Sequence, residues 1–191
     1  MSKAEILLEA SGYIFYDPKK CAGCKSCMLA CSLVHEGKHN LSLSRIQILD
    51  SPFGQYPTDI IITPCLQCKH PLCVEVCPVE ALHVDNEHMN VRRIDEQKCI
   101  GCKRCIAACP FSPSRIIWNS EKQQSMKCDL CKDPPFWDKK GKLACVEVCP
   151  TRTLMFSSKS PSPAGYKGYI VNLRGEGWKR LGLPVNGGNR K

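Results

Sequence analysis

Sixteen of the 191 residues are cysteine. The cysteine thiolate is a nucleophile and a soft metal ligand, so such a chain is built for disulfides, thiol chemistry or metal. The cysteines form four groups of four, with none left over. They are Cys21, Cys24, Cys27 and Cys31; Cys65, Cys68, Cys73 and Cys77; Cys99, Cys102, Cys105 and Cys109; and Cys128, Cys131, Cys145 and Cys149. The last three groups end in Cys-Pro, at Pro78, Pro110 and Pro150, whereas Ser32 follows the first. A disulfide scaffold needs an oxidising compartment. Residues 1–10 carry two acids and a short apolar run, which is not an export signal. No stretch approaches the roughly 18–20 apolar residues of a membrane helix. The chain is therefore expected in the cytoplasm, without membrane insertion, where crowded cysteines point to metal.

The first and third groups each place four cysteines within eleven residues, with gaps of two, two and three. Such a run, closed by proline, is the pattern that ligates a 4Fe-4S cluster in bacterial ferredoxins. Three close cysteines wrap one cube, and Gly23 and Gly101 let the backbone approach its sulfides. The fourth cysteine is expected to open a helical turn pointing toward a neighbouring cluster, with the proline in the first turn. A structural zinc site instead uses two cysteine pairs separated by a longer loop. The fourth group has that form taken alone, since thirteen residues separate Cys131 from Cys145. The first and third groups do not.

These ligands need short elements to hold them. Ala22-Gly23-Cys24-Lys25-Ser26-Cys27 matches Ile100-Gly101-Cys102-Lys103-Arg104-Cys105, and Cys73-Val74-Glu75-Val76-Cys77-Pro78 recurs from Cys145 to Pro150. The chain reads as an internal duplication with halves at about 13–84 and 91–158. β-prone runs open the halves at 13–17 and 91–95 and close them at 81–84 and 153–156. Short helices are expected after Cys27, Cys77, Cys105 and Cys149. The insert 33–64 should form two extended strands, around Arg45-Ile46-Gln47-Ile48 and Asp59-Ile60-Ile61-Ile62. The insert 132–144 reads as a surface loop whose Phe136 and Trp137 cover a cluster or dock a partner. Residues 1–12 form an N-terminal segment and 13–158 the cluster domain. The stretch 159–191 is Gly-rich, yet Tyr166, Ile170 and Trp178 suit an extended arm ordered on a partner. The expected class is α+β with little regular structure, a duplicated bacterial-ferredoxin-like (polyferredoxin) fold around four clusters.

The four groups, in order, resemble the four-cluster ferredoxin-type subunits of molybdenum and tungsten oxidoreductases, among them dimethyl-sulfoxide-reductase-type enzymes and formate dehydrogenase. The stretches Cys27-Met28-Leu29-Ala30-Cys31-Ser32-Leu33-Val34-His35-Glu36-Gly37 and Gly177-Trp178-Lys179-Arg180-Leu181-Gly182-Leu183-Pro184 look most like the tungsten aldehyde-oxidoreductase and class II benzoyl-CoA reductase branch. Gln67 stands where the dimethyl-sulfoxide-reductase branch often has histidine. The resemblance implies a wiring pattern. Cys21, Cys24 and Cys27 would share a cluster with Cys149. Cys65, Cys68 and Cys73 would share one with Cys109. Cys99, Cys102 and Cys105 would share one with Cys77, and Cys128, Cys131 and Cys145 one with Cys31. It implies a hetero-oligomer with a large tungsten- or molybdenum-pterin catalytic subunit, and a further flavin or ferredoxin electron donor.

Three classes of function remain to be weighed. A relay moves single electrons along four clusters with no bond chemistry of its own. A catalyst would need an open metal position or a catalytic constellation. A fully Cys-ligated cluster offers none, and the five histidines, His35, His39, His70, His83 and His88, are scattered. A nucleic-acid-binding or zinc-dependent regulator would use the formal charge of +9. That count treats cysteine as neutral. Sixteen thiolates and four cores of about two positive charges each bring the holoprotein to about +1. No catalytic residue and no nucleic acid are therefore expected. Lys20, Lys25, Lys69, Lys98, Lys103, Arg104, Lys127 and Lys132 flank ligand cysteines; each alone reads as solvated surface, while as a set they favour reduced clusters.

Overall fold

The gap of three residues before the last cysteine of every group is one helical turn. The computed structural model, which describes residues 8–56, 58–139 and 141–159, uses it that way four times. Helices α1 (Ser26–Glu36), α2 (Leu72–Glu75), α3 (Arg104–Ala107) and α4 (Ala144–Glu147) carry the third cysteine of their groups. The fourth cysteine then closes the turn. At Cys77 and Cys149 this corrects the expectation, since the helix comes before these residues and not after them. The following proline is the reason: it disfavours helical backbone at the residue before it and supplies no N–H.

The first group departs from the rule because Ser32 stands where the others have proline. Helix α1 runs on for eleven residues, through Cys31 to Glu36, while the other three stop after one turn. Ser32 is fully buried, donates to Leu29 O at 3.0 Å and accepts from Asn40 N at 3.1 Å. Gly37 ends α1 at φ 64°, with its N–H on Leu33 O. The ring of Phe136 packs where a Cβ on Gly37 would stand. The insert 132–144 thus folds over the end of α1, and Phe136 N donates to Val34 O at 3.1 Å.

The described strands pair as four antiparallel ribbons. β1 (Tyr13–Tyr16) pairs with β8 (Leu154–Ser157), Tyr13 opposite Ser157. β2 (Ile48–Asp50) pairs with β3 (Ile60–Ile62), and β4 (Leu82–Asp85) with β5 (Val91–Ile94). β6 (Ile116–Asn119) pairs with β7 (Gln124–Lys127). All but β6 and β7 lie on runs legible as strands. The apolar Ile116-Ile117-Trp118 before Asn119 was the available signal for that hairpin. Only Ile48 of the expected run 45–48 joins β2, because Arg45 is drawn into ion pairs. The β1–β8 pair brings Tyr13 beside Ser157, so the first and last described strands meet. Inside, Ile14, Met28, Ile46, Ile62, Val91, Leu130 and Leu154 pack in one cluster with Cys21, Cys27, Cys31, Cys65, Cys128 and Cys145. Thiols take a large share of the interior that aliphatic groups would otherwise fill.

Candidate metal centres

All sixteen cysteines are free thiols, so no disulfide holds the fold. Three small cavities are each lined by four of them. One holds Cys65, Cys68, Cys73 and Cys109. Another holds Cys77, Cys99, Cys102 and Cys105, and a third Cys21, Cys24, Cys27 and Cys149. The remaining four also converge: burial chiefly, and then the charges of the neighbouring Cys31, Cys128 and Cys131, push the Cys145 thiol well up. Each set takes three cysteines from one group and one from another.

The turns that deliver these sulfurs share a conformation. Gly23 and Lys25 have φ of 66° and 59°, and Gly101 and Lys103 have 69° and 60°. In the second and fourth groups Gln67, Leu130 and Cys131 take the left-handed form. Successive turns of this kind aim backbone N–H groups into concavities that suit anions. At Gly101 a Cβ would meet Gln123 O and the Trp118 ring, so only glycine fits.

The last cysteine of each group accepts a backbone N–H. Arg45 N donates to Cys31 Sγ at 3.3 Å, Leu82 N to Cys77 at 3.4 Å, Arg115 N to Cys109 at 3.3 Å and Thr153 N to Cys149 at 3.2 Å. Such donors stabilise the charged form of a sulfur. At Cys149, burial pushes the thiol up, but the backbone donors of Leu154, Thr153 and Thr151 and the Thr151 hydroxyl prevail and lower it. Burial is opposed by His35 and Arg45 at Cys31, which is also lowered. At Cys27, Cys73 and Cys131 burial outweighs the help of Met28 N–H, Lys127 and Ala144 N–H respectively, and pushes each up to about 12.

A zinc ion would draw four sulfurs to about 2.3 Å from one point. Among the described residues no three His, Cys, Asp or Glu side chains converge to hold a single ion. Cysteine sulfurs standing around a cavity, with N–H donors on several of them, suit a larger cage such as a 4Fe-4S cluster, whose core is positive and which is anionic once ligated by thiolates. No helix among the described residues is long and apolar enough to cross a membrane.

Around the sulfurs lies a polar frame that the cysteine spacing did not reveal. Gln67, 1% exposed, donates to Cys128 O at 3.1 Å and accepts from Arg92 N at 2.9 Å. It ties the second group to the fourth. Asp129 accepts from His35 Nε2 at 3.1 Å and from Arg45 Nη1 at 2.6 Å. Burial opposes the charge on Asp129, but His35 and Arg45 outweigh it and hold the carboxyl well below its usual range. Two of the flanking lysines are not solvated: Lys20 and Lys127 are buried. Lys127 reaches inward because its residue closes β7, beside Cys128.

Residues 58–159 match the 4Fe-4S dicluster domain family, and residues 18–34 match a 4Fe-4S binding domain. Among curated relatives, YsaA of Escherichia coli K12, provisionally named an electron transport protein, is 34% identical over 74% of this chain and 87% of its own. The polyferredoxin-like subunit of an aliphatic sulfonate oxidoreductase from Pyrococcus furiosus is 37% identical over 72% of this chain and 70% of its own. The B subunit of the anaerobic dimethyl sulfoxide reductase of Shigella flexneri is 35% identical over 74% of this chain and 71% of its own.

Proposed function

Because this chain belongs to the 4Fe-4S dicluster family of ferredoxin-type electron-transfer proteins, we propose that it relays single electrons through four 4Fe-4S clusters to or from a separate pterin-bound catalytic subunit. The chain itself transfers electrons and carries multiple 4Fe-4S clusters; bond chemistry belongs to other subunits. The observation that carries the four-cluster reading is the convergence of the cysteines in fours, three from one group and one from another. On this reading Cys21, Cys24, Cys27 and Cys149 hold one cluster, and Cys65, Cys68, Cys73 and Cys109 a second. Cys99, Cys102, Cys105 and Cys77 hold a third, and Cys128, Cys131, Cys145 and Cys31 a fourth. Bound there, each cluster supplies a one-electron centre. The repeated turn at Gly23-Cys24-Lys25 and Gly101-Cys102-Lys103 supports an internal duplication.

The partner we propose is a tungsten-pterin subunit of the aldehyde-oxidoreductase or benzoyl-CoA reductase type, supported by the sequence stretches from Cys27 and from Gly177. A second reading, a molybdenum enzyme of the dimethyl-sulfoxide-reductase type, is favoured by the 35% identity to that enzyme's B subunit. The arm proposed at 159–191 lies almost wholly outside the described residues, and there we place the partner contact.

Purification without oxygen tests both levels. The protein should carry about 16 iron and as much acid-labile sulfide. Zinc without sulfide would sink the reading. The metal of the co-purifying large subunit then separates the two partners. Cys109→Ala should abolish the same spectroscopic centre as Cys65→Ala and spare the one lost in Cys99→Ala.

A further inference from the structure

The four sulfur sites differ in what surrounds them. The cavity of Cys65, Cys68, Cys73 and Cys109 is also lined by Arg92, Arg115 and Lys127, and by no carboxylate. The cavity of Cys99 has one cation, Lys103, lying over the Trp118 ring at 4.0 Å. The cavity of Cys21 also has one, Lys25, which is paired with Asp50 at 3.1 Å. Beside Cys31 and Cys128, Arg45 is matched by Asp129 at 2.6 Å, Glu96 at 3.2 Å and Glu36 at 3.6 Å.

Among the described residues no carboxylate forms an ion pair with the three cations of the second cavity. Glu9, which acts on Arg92 through space, is itself paired with Lys69 at 2.6 Å, and Lys127 also bonds the Cys65 side chain. Lys127, 3% exposed, donates to Arg92 O and to Cys128 O. Arg92, 1% exposed, donates to Asn90 O at 2.6 Å and Leu8 O at 3.0 Å, and its Nε is buried without a partner. Arg115 stacks near Phe111 at 5.4 Å, with Nε and Nη1 buried and unpartnered. A buried charge without a counter-ion is costly, and carbonyl dipoles do not neutralise it. The available anion is the thiolate-ligated cluster itself. Taking up one electron adds one negative charge there and breaks no bond, so nearby buried cations favour the reduced form.

We propose that the cluster held by Cys65, Cys68, Cys73 and Cys109 has the highest reduction potential of the four, set by Arg92, Arg115 and Lys127, so that the first electron entering the protein comes to rest there. This rests on the four-cluster relay reading. It goes beyond it by giving the relay an internal low point, with the carboxylate-rich fourth site next to it across Lys127.

The test is a dithionite titration of the intact, anaerobically purified protein followed by electron paramagnetic resonance, with iron and sulfide counted beforehand. Dithionite supplies the electrons one at a time, and no proton or further reactant is required. In the wild type a single signal should develop first. Lys127→Met and Arg115→Gln should each make that centre about tenfold harder to reduce, about 59 mV lower for one electron, and leave the other three in place. Lys127→Arg, which keeps the charge, should restore most of the shift. Full iron with an unmoved first potential in both charge-removing variants overturns the proposal. So does a first signal that survives in Cys109→Ala. Where a charge-removing variant does not assemble, Cys109→Ser, which keeps an oxygen ligand, decides: the first signal to develop should change its g-values, and an unaltered first signal overturns the proposal. Missing iron and sulfide in the wild type would instead overturn the relay reading.

Discussion

Gln67 shows what a single buried side chain does in a protein with few aliphatic contacts. Its amide satisfies one donor and one acceptor, from β5 and from the fourth group, in a place water does not reach. Removing it leaves Arg92 N–H unpaired and Cys128 O with Lys127 alone, at about 1–3 kcal/mol. Gln67→Ala should therefore lower the guanidinium midpoint for loss of the iron–sulfur absorbance; an unchanged midpoint would show that the tie carries no stability. In the sequence Gln67 stands out only as a departure from the related branch, and its bonding partners lie 25 and 61 positions away. Spacing arguments reach ligands a few residues apart and cannot reach these. The same holds for Lys127. Beside a cysteine it reads as a surface lysine, and only the packing of β7 onto β5 turns it inward.

Among the elements, α1 is set apart by one substitution. Ser32 lets it continue past Cys31 to Glu36, and that extension places His35 against Asp129 and Gly37 under Phe136. Ser32→Pro should break α1 after Cys31, at about 3 kcal/mol or more. Circular dichroism should lose helix, and the insert 132–144 should become open to protease. A variant that keeps both would refute this account of the helix. The β4–β5 hairpin holds the other end of the insert. Asp85 meets Arg93 at 3.0 Å and Lys132 at 2.6 Å. Burial opposes its ionisation, but these two cations prevail and bring it down to about 2. Its folded value lies below the ordinary one, so its contribution is complete above about pH 4 and is lost as pH falls toward 2. Asp85→Asn should cost about 1–2 kcal/mol at neutral pH and remove that part of the acid dependence. An acid-unfolding curve parallel to the wild type would contradict it.

At the scale of the whole molecule, iron stands in for much of the hydrophobic core. Apolar residues other than cysteine make up roughly a third of the chain, little for an interior of this size. Cys27, Cys73 and Cys131, whose thiols burial pushes up to about 12, hold their protons at neutral pH when nothing is ligated. Ligation must displace those protons, so its energy is folding energy and weakens as pH falls. An iron chelator at neutral pH should thus make the chain protease-sensitive as the absorbance bleaches, and faster at pH 6 than at pH 8. A chain that stays folded after bleaching would show a core sufficient without metal. The metal chemistry, the groups of four and most strands are legible in the residue order, because ligand spacing and short β-prone runs are local properties. Which cations are buried, and beside which sulfurs, emerges only on folding. Those contacts join residues far apart in the chain, and a lysine or arginine looks the same in sequence whether its charge meets water or an iron–sulfur cage.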